Sequence, residues 1–332
     1  MGLRHRTIRN LAFVAVVAGA VAAGCGGARQ PAEQGVAAVI KGLENPYFGA
    51  MRQGLTETAQ RHKTMLRLAS AASLQDTAGQ AAKLEALAAD RAGCYVVNPI
   101  NQTNLVQALS HVPDGAAVVN IDSPIDTDAA SAAGVKITSY IGTDNVAAGR
   151  LAARAMTKLV PEGADVAIVA GIPGDATSAA RTEGFVTAAA RRLRVAEPVS
   201  ADFNRDKARL AAEELLRTDP DLKGIFAVND EMALGVADAL REAGKTGKIS
   251  VIGVDGITEA LEAVRSGALS ATVAQYPYTI GQLGIEACLA ALDGKRVPER
   301  LDAPITLITP DNVMQAQARF PQPARPYKSP LR

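Results

Sequence analysis

Residues 35–61 read GVAAVIKGLENPYFGAMRQGLTETAQR. The run from Val36 to Ile40 is uninterrupted and apolar, the pattern of a strand buried on both faces. Lys41 to Asn45 break it. Phe48, Met51, Leu55 and Ala59 then recur at helical spacing, with Arg52, Gln53, Glu57 and Gln60 on the other faces. Asn45-Pro46 is a helix start: Asn caps free backbone N–H groups, and Pro has no N–H to leave unpaired in the first turn. The stretch is therefore strand, loop, helix. In an open α/β sheet the crevice outside the carboxyl ends of the strands is where ligands bind. Here that loop carries an amide, Asn45, and two rings, Tyr47 and Phe48, a set suited to a ligand with both CH faces and hydroxyls. The plainer alternative is that Asn45 only caps and Phe48 only fills the core.

The same unit recurs along the chain. Strands are expected at 65–69, 93–98, 116–121, 140–141, 166–170, 195–198, 225–228, 249–254, 271–274 and 305–308. Helices are expected at 76–90, 104–111, 145–160, 178–193, 206–217, 231–243, 258–265 and 280–292. This rhythm predicts parallel sheets flanked by helices, and so many strands in 332 residues predict two lobes rather than one sheet. From about Gln315 the chain is rich in Pro and Arg and reads as a loosely packed surface tail.

Polar residues stand where the apolar runs end: Asn98, Asp122, Asn229-Asp230, Asp255 and Gln275. One such residue is ordinarily a cap or a loop starter. Found on both halves of the chain, they point together into one crevice.

Composition narrows the function. The net charge of +1 gives no nucleic-acid footprint. His5, His62 and His111 are the only histidines, and neither a nucleophile–His arrangement nor His/Cys metal spacing is present. Gly244-Lys245-Thr246 follows a helix, with Ala239 where a phosphate loop needs its first Gly. A catalyst, a metal and a cofactor are therefore not expected. Cys94 falls in an expected strand and Cys288 on an expected helix; no pattern pairs them, and they read as buried free thiols.

The N-terminus is an address. Arg4, Arg6 and Arg9 precede an uncharged run of mostly Ala, Val and Leu over 11–23, too short to span a membrane. Ala22-Ala23-Gly24-Cys25 resembles a bacterial lipobox, which implies lipid attachment at Cys25. Residues 1–25 are read as signal and lipobox, and 26–34 as a tether. The chain is expected to be exported, to the periplasm or the outer face of the cell membrane.

Several segments, taken in order, resemble the type I periplasmic sugar-binding family of the ribose-binding type, whose ligand half is shared with lac-repressor-type regulators. They are Glu44-Asn45-Pro46-Tyr47-Phe48, Val97-Asn98-Pro99, Asp144-Asn145, Ser178-Ala179-Ala180-Arg181 with Glu183-Gly184-Phe185, and Ala201-Asp202-Phe203. Asn229-Asp230-Glu231-Met232-Ala233-Leu234-Gly235, Gly253-Val254-Asp255-Gly256 and Ala274-Gln275-Tyr276-Pro277 complete the set.

The resemblance implies two doubly wound α/β lobes with parallel sheets, joined by a three-segment hinge. The lobes would be 35–142 plus 277–304 and 143–276 plus 305–314, followed by the tail 315–332. Crossings would lie near 141–144, 275–277 and 303–308. By matching position the ligand would meet Asn45, Tyr47, Phe48, Asn98 and Asp122 from the first lobe. Arg181, Phe203, Asn229 and Asp255 would come from the second, with Gln275 at the hinge. The implied function is that of a monomeric solute-binding protein of an ABC importer, which captures a monosaccharide or polyol for a membrane permease driven by a separate ATPase. A sugar sensor presenting its closed form to a chemoreceptor is the alternative. A DNA-binding regulator is disfavoured by the secretory signal. Two positions depart from the ribose pattern: Ser123 stands where an Arg follows the first-lobe Asp, and Val254 where a Phe precedes the second-lobe Asp. A smaller, less basic wall favours a ligand other than ribose.

Overall fold

The structure, a computed structural model, describes residues 33–331. The expected signal and Cys25 lie outside the described residues. The first strand, β1 (Glu33–Ile40), begins within the segment read as a tether.

The first lobe continues with α1 (Pro46–Arg61), β2 (Leu66–Ser70), α2 (Thr77–Ala89), β3 (Ala92–Val97), α3 (Val106–Leu109), β4 (Ala117–Ile121), α4 (Thr127–Ala132) and β5 (Ser139–Thr143). The chain then enters a second lobe. This holds α5 (Asn145–Leu159), β6 (Ala164–Ala170), α6 (Ala176–Ala189), β7 (Leu193–Val195), β8 (Val199–Ser200), α7 (Arg205–Thr218), β9 (Gly224–Ala227), α8 (Asp230–Glu242), β10 (Ser250–Asp255), α9 (Thr258–Ser266) and β11 (Ala271–Ala274). It returns to the first lobe for α10 (Pro277–Leu292) and β12 (Arg300–Ala303), then ends in the second with β13 (Thr306–Ile308) and α11 (Val313–Arg319).

The first sheet has the order β12-β5-β4-β3-β1-β2, all parallel. The second has the order β13-β11-β10-β9-β6-β7, with β8 also on β6; only β13 runs antiparallel. The chain thus passes between sheets three times: from β5 to α5, from β11 to α10, and from β12 to β13.

The apolar run of β1 is explained by its two buried faces. Val36, Ala38 and Ile40 pack with Met51 and Leu55 of α1, whereas Ala37 and Val39 pack with Leu84 and Leu109 on the other side. Successive strand residues point to opposite faces, so a strand covered by helices on both sides must be apolar throughout. α1 starts as its sequence requires. Asn45 is extended (φ −93°), its side chain accepts from the N–H of Tyr47 at 2.9 Å, and Pro46 takes the first position.

The structure corrects the reading of the cysteines. Cys94 and Cys288 are joined in a disulfide, with a Cα–Cα distance of 5.6 Å. They lie 194 residues apart, and only the return of α10 onto β3 brings them together, so no local spacing could reveal the pair. Such a bond belongs to an oxidising compartment, in accord with an exported chain.

Other differences have local causes. Leu193 to Ser200 is two short strands rather than one, because Pro198 can give no N–H to a ladder. β12, not among the expected strands, is an edge strand whose charged residues alternate with buried Leu301 and Ala303. The tail is not loose: it begins with α11, and Phe320, Tyr327 and Leu331 pack against the core.

Replacing both cysteines, Cys94→Ala with Cys288→Ala, is expected to lower stability by about 2–4 kcal/mol, since the bond closes a long loop in the unfolded chain. Urea unfolding checks this. Unchanged stability, together with two reactive thiols in the denatured native-sequence protein, contradicts the bond.

Candidate functional site

The carboxyl ends of both sheets face one cleft. About 630 Å³ of space lies between the lobes there, part of it continuous with solvent. Asn45, Tyr47, Phe48 and Asp122 line it from the first lobe; Arg181, Phe203, Asn229 and Asp255 line it from the second, and Gln275 lies at a crossing. Asn98 does not line the cleft. It is fully buried, its side-chain N–H donates to Met51 Sδ at 3.4 Å, and its main-chain carbonyl accepts from the Gln80 side chain. It supports the floor beneath the site. The lining also includes Lys41, Leu74, Ile100, Ser123, Ile172, Asp175, Thr177 and Asp202.

Several site residues of both lobes are almost inaccessible: Tyr47 is 5% exposed, Arg181 4% and Asp255 6%, whereas Asp122 and Phe203 are half-buried. The lobes are therefore described in a closed arrangement.

On the first-lobe wall, the Tyr47 hydroxyl donates to Asp122 Oδ1 at 2.9 Å and lies 3.4 Å from Gln275 Oε1. Its ring meets Phe48 edge to face, with centroids 5.2 Å apart. Burial, and then the charges of Asp122 and Asp255, push the Tyr47 phenol well above its ordinary range, so it stays a donor. Tyr140 donates to the carbonyl of Asp122 at 2.6 Å, anchoring that residue at φ 63°. The amino group of Lys41 donates to Ser123 Oγ at 2.6 Å and sits 5.5 Å above the Phe48 ring.

On the second-lobe wall, Arg181 Nε donates to Asn145 Oδ1 at 2.8 Å, and Nη1 donates to the carbonyl of Val228 at 2.7 Å. Nη1 is also 3.5 Å from Asp255 Oδ1, which accepts from Gln275 Nε2 at 2.6 Å. α6 can deliver Arg181 here because Gly149 and Gly184 let α5 and α6 touch: a Cβ at either would come within 2.0–2.1 Å of a carbonyl oxygen on the other helix. Burial raises the Asp255 carboxyl above the usual range, an effect that Arg181 partly offsets and Asp230 strengthens.

Asp230 was visible as a strand-end residue but is not in the cleft. Its carboxylate accepts from the N–H groups of Gly256 and Ile257 at 2.6 and 3.0 Å, and from the Thr272 hydroxyl at 2.7 Å. It fastens the turn after Asp255, where φ is 135° at Asp255 and 74° at Gly256. Phe203 is also held in a strained conformation, at φ 58° beside Asp202 at 53°. Its ring lies over Gly171, where a Cβ would fall 2.3 Å from the ring. Gly171 is pinned in turn: its N–H donates to Ser178 Oγ and its carbonyl accepts from Ser200 Oγ. Among the described residues, four of the six non-glycine residues at positive φ border this cleft. Strain gathered at one place is a mark of a functional site.

Two sheets, three crossings and a shared polar cleft are joined by a match of residues 36–296 to the periplasmic binding protein domain. The chain belongs to the periplasmic binding protein family. The D-allose-binding periplasmic protein of Escherichia coli (strain K12) is 36% identical to it over 269 residues, covering 79% of this chain and 86% of that one. The ribose import binding protein RbsB of Bacillus subtilis (strain 168) is 34% identical over 270 residues, covering 81% and 85%. Among solved structures, an ABC transporter periplasmic solute-binding protein from Actinobacillus succinogenes 130z with bound D-allose superposes with a TM-score of 0.80. It shares 29% identity and covers 85% of this chain and all of the other.

As a periplasmic binding protein, this chain carries a cleft with chemical order: rings line part of it, paired donors and acceptors the rest. Among the described residues no cluster of His, Cys, Asp or Glu could hold a metal ion. The sequence missed Gly171 and Asn145 as supports, because their roles depend on contacts between distant segments.

Gly171→Ala is expected to displace the Phe203 ring and to weaken ligand binding about tenfold or more, the scale of one aromatic contact. Titration calorimetry measures this, with circular dichroism to show that the lobes stay folded. Unaltered affinity would remove Phe203 from the binding surface.

Proposed function

We propose that this protein captures a neutral monosaccharide or polyol between its lobes and delivers it to the permease of an ABC importer driven by a separate ATPase. The observation that carries the reading is the facing of Tyr47 and Asp122 on one lobe with Arg181 and Asp255 on the other, all bordering one cleft. A sugar ring has apolar CH faces and a rim of hydroxyls. Tyr47, Phe48 and Phe203 cover its faces. Asp122 and Asp255 accept from its hydroxyls, while Arg181, Asn45, Asn229 and Gln275 supply donors. The guanidinium fork suits two neighbouring oxygens. Hydrogen bonds to charged groups contribute roughly 1.5–3 kcal/mol each, and a micromolar complex needs only about −8 kcal/mol in all.

The wall beside Asp122 points to a larger ligand than ribose. Ser123 replaces a long basic side chain, and Lys41 reaches Ser123 from another loop. This leaves room and a donor for one more hydroxyl-bearing carbon, so an aldohexose of the allose type is preferred. The likeness to a D-allose-binding protein supports the choice. Binding without turnover is the proposed role. Lipid attachment at Cys25 would keep the protein beside its permease. Presentation of the closed form to a chemoreceptor uses the same binding event.

Arg181→Ala and Asp255→Ala are each expected to cost at least about tenfold in affinity, because each strands a buried partner. Calorimetry tests this, and undiminished binding in either variant excludes that residue. In a thermal-shift comparison, D-allose is expected to raise the melting point more than D-ribose at equal concentration, since a ligand of the folded state stabilises it in proportion to affinity. The reverse order contradicts the preference for a hexose.

The raised carboxyl of Asp255 sets the sign of the pH dependence. Hydroxyls donating to the charged form lower its pKa in the complex. Binding then releases protons, and affinity rises with pH in the window between the pKa of the complex and the higher ligand-free value. Affinity that falls on going from acid to neutral pH would show that Asp255 does not accept from the ligand.

A further inference from the structure

The chain makes a fourth passage between the lobes, beyond the three that join the sheets. α11 belongs to the second lobe. The Gln317 side chain donates to Glu262 of α9 at 3.3 Å, and Asn312, just before α11, donates to the carbonyl of Leu307 in β13 at 3.0 Å. Past α11 the chain turns, with Arg319 donating to the carbonyl of Pro323 at 2.9 Å, and the contacts change lobe. Gln322 shares a side-chain hydrogen bond with Tyr278 of α10. Tyr278 also donates to Glu57 of α1 at 2.7 Å, so Gln322 joins a first-lobe network. Tyr327 lies within the electrostatic reach of Glu286 on α10 and Asp302 on β12, again first-lobe residues. On the way the segment forms a groove with Pro304, Ile305 and Thr306, which are the third crossing and the start of β13.

We propose that residues 320–331 form a strap that ties the second lobe to the first across the hinge and biases the protein toward the closed arrangement of its cleft. Pro321, Pro323, Pro326 and Pro330 stiffen the segment: each fixes one backbone angle, so the strap transmits displacement instead of absorbing it as slack. Rotation of one lobe away from the other must pull Gln322 from Tyr278 or lift Tyr327 from its seat. Contacts made in one arrangement and broken in the other shift the population toward the first. The proposal rests on the hinge motion in the functional reading above, but not on which sugar is bound. The strap therefore raises the fraction of ligand-free protein that is already closed, and it slows escape of a captured guest.

The test is a distance measurement without sugar. Spin labels are placed on exposed Arg52→Cys in α1 and Asp206→Cys in α7, one on each lobe, with the native disulfide kept. Pulsed electron resonance compares the full chain with a variant lacking residues 321–332, and with Tyr327→Ala in the full chain, a milder change that leaves the segment in place. A larger share of molecules at the closed separation is expected for the full chain than for either variant. Both variants are expected to gain weight at a second, different separation. Identical distributions in all three proteins would overturn the strap. Since no ligand is present, that result would leave the sugar-binding reading intact, and failure to bind sugars would leave the strap standing.

Discussion

The molecule is built around a buried carboxylate that protein partners satisfy incompletely. Asp255 is held in a closed cleft beside Arg181 at 3.5 Å and accepts one short hydrogen bond from Gln275. Removing charges from water is costly, and a single partner at that distance repays it poorly. On the proposed reading, a guest with neighbouring hydroxyls supplies the missing partners. On the opposite wall, half-buried Asp122 has Tyr47 as its close donor.

Such an arrangement must be enforced, because the residues would relax if free to do so. The residues that touch them from behind do this. Asp230 fixes the turn that presents Asp255 with one carboxylate oxygen and accepts from Thr272 with the other. Asn145 and the carbonyl of Val228 leave Arg181 little freedom to swing. Ser178 and Ser200 hold Gly171 beneath Phe203. Backbone strain at Asp122, Phe203 and Asp255 is the cost of aiming those side chains inward, and the flanking sheets, buried on both faces, provide the stability that offsets it.

Much of this was legible in the sequence for a definite reason. Doubly covered strands must be apolar, so β1, β3, β9 and β10 announced themselves, and the polar residues ending β9 and β10, Asn229 and Asp255, marked the cleft. Asn45 read correctly as a cap because its partner is two residues away. What could not be read depends on distant contacts. The bond between Cys94 and Cys288 exists only because α10 returns to the first sheet. β12 is short and charged and becomes a strand only by pairing with β5. Asn98 looked like its neighbours at strand ends, yet it points beneath the cleft rather than into it. The tail resembled loose chain by composition, but Phe320, Tyr327 and Leu331 give it apolar anchors.

The central claim is that both lobes grip one polyhydroxylated guest at the same time. Its most direct test is a crystal structure of the protein grown with D-allose. The account predicts the sugar between the lobes, its ring against Phe48 and Phe203, with hydroxyls within hydrogen-bond distance of Asp122, Arg181 and Asp255. A sugar held by one lobe alone, or seated away from these side chains, would contradict it.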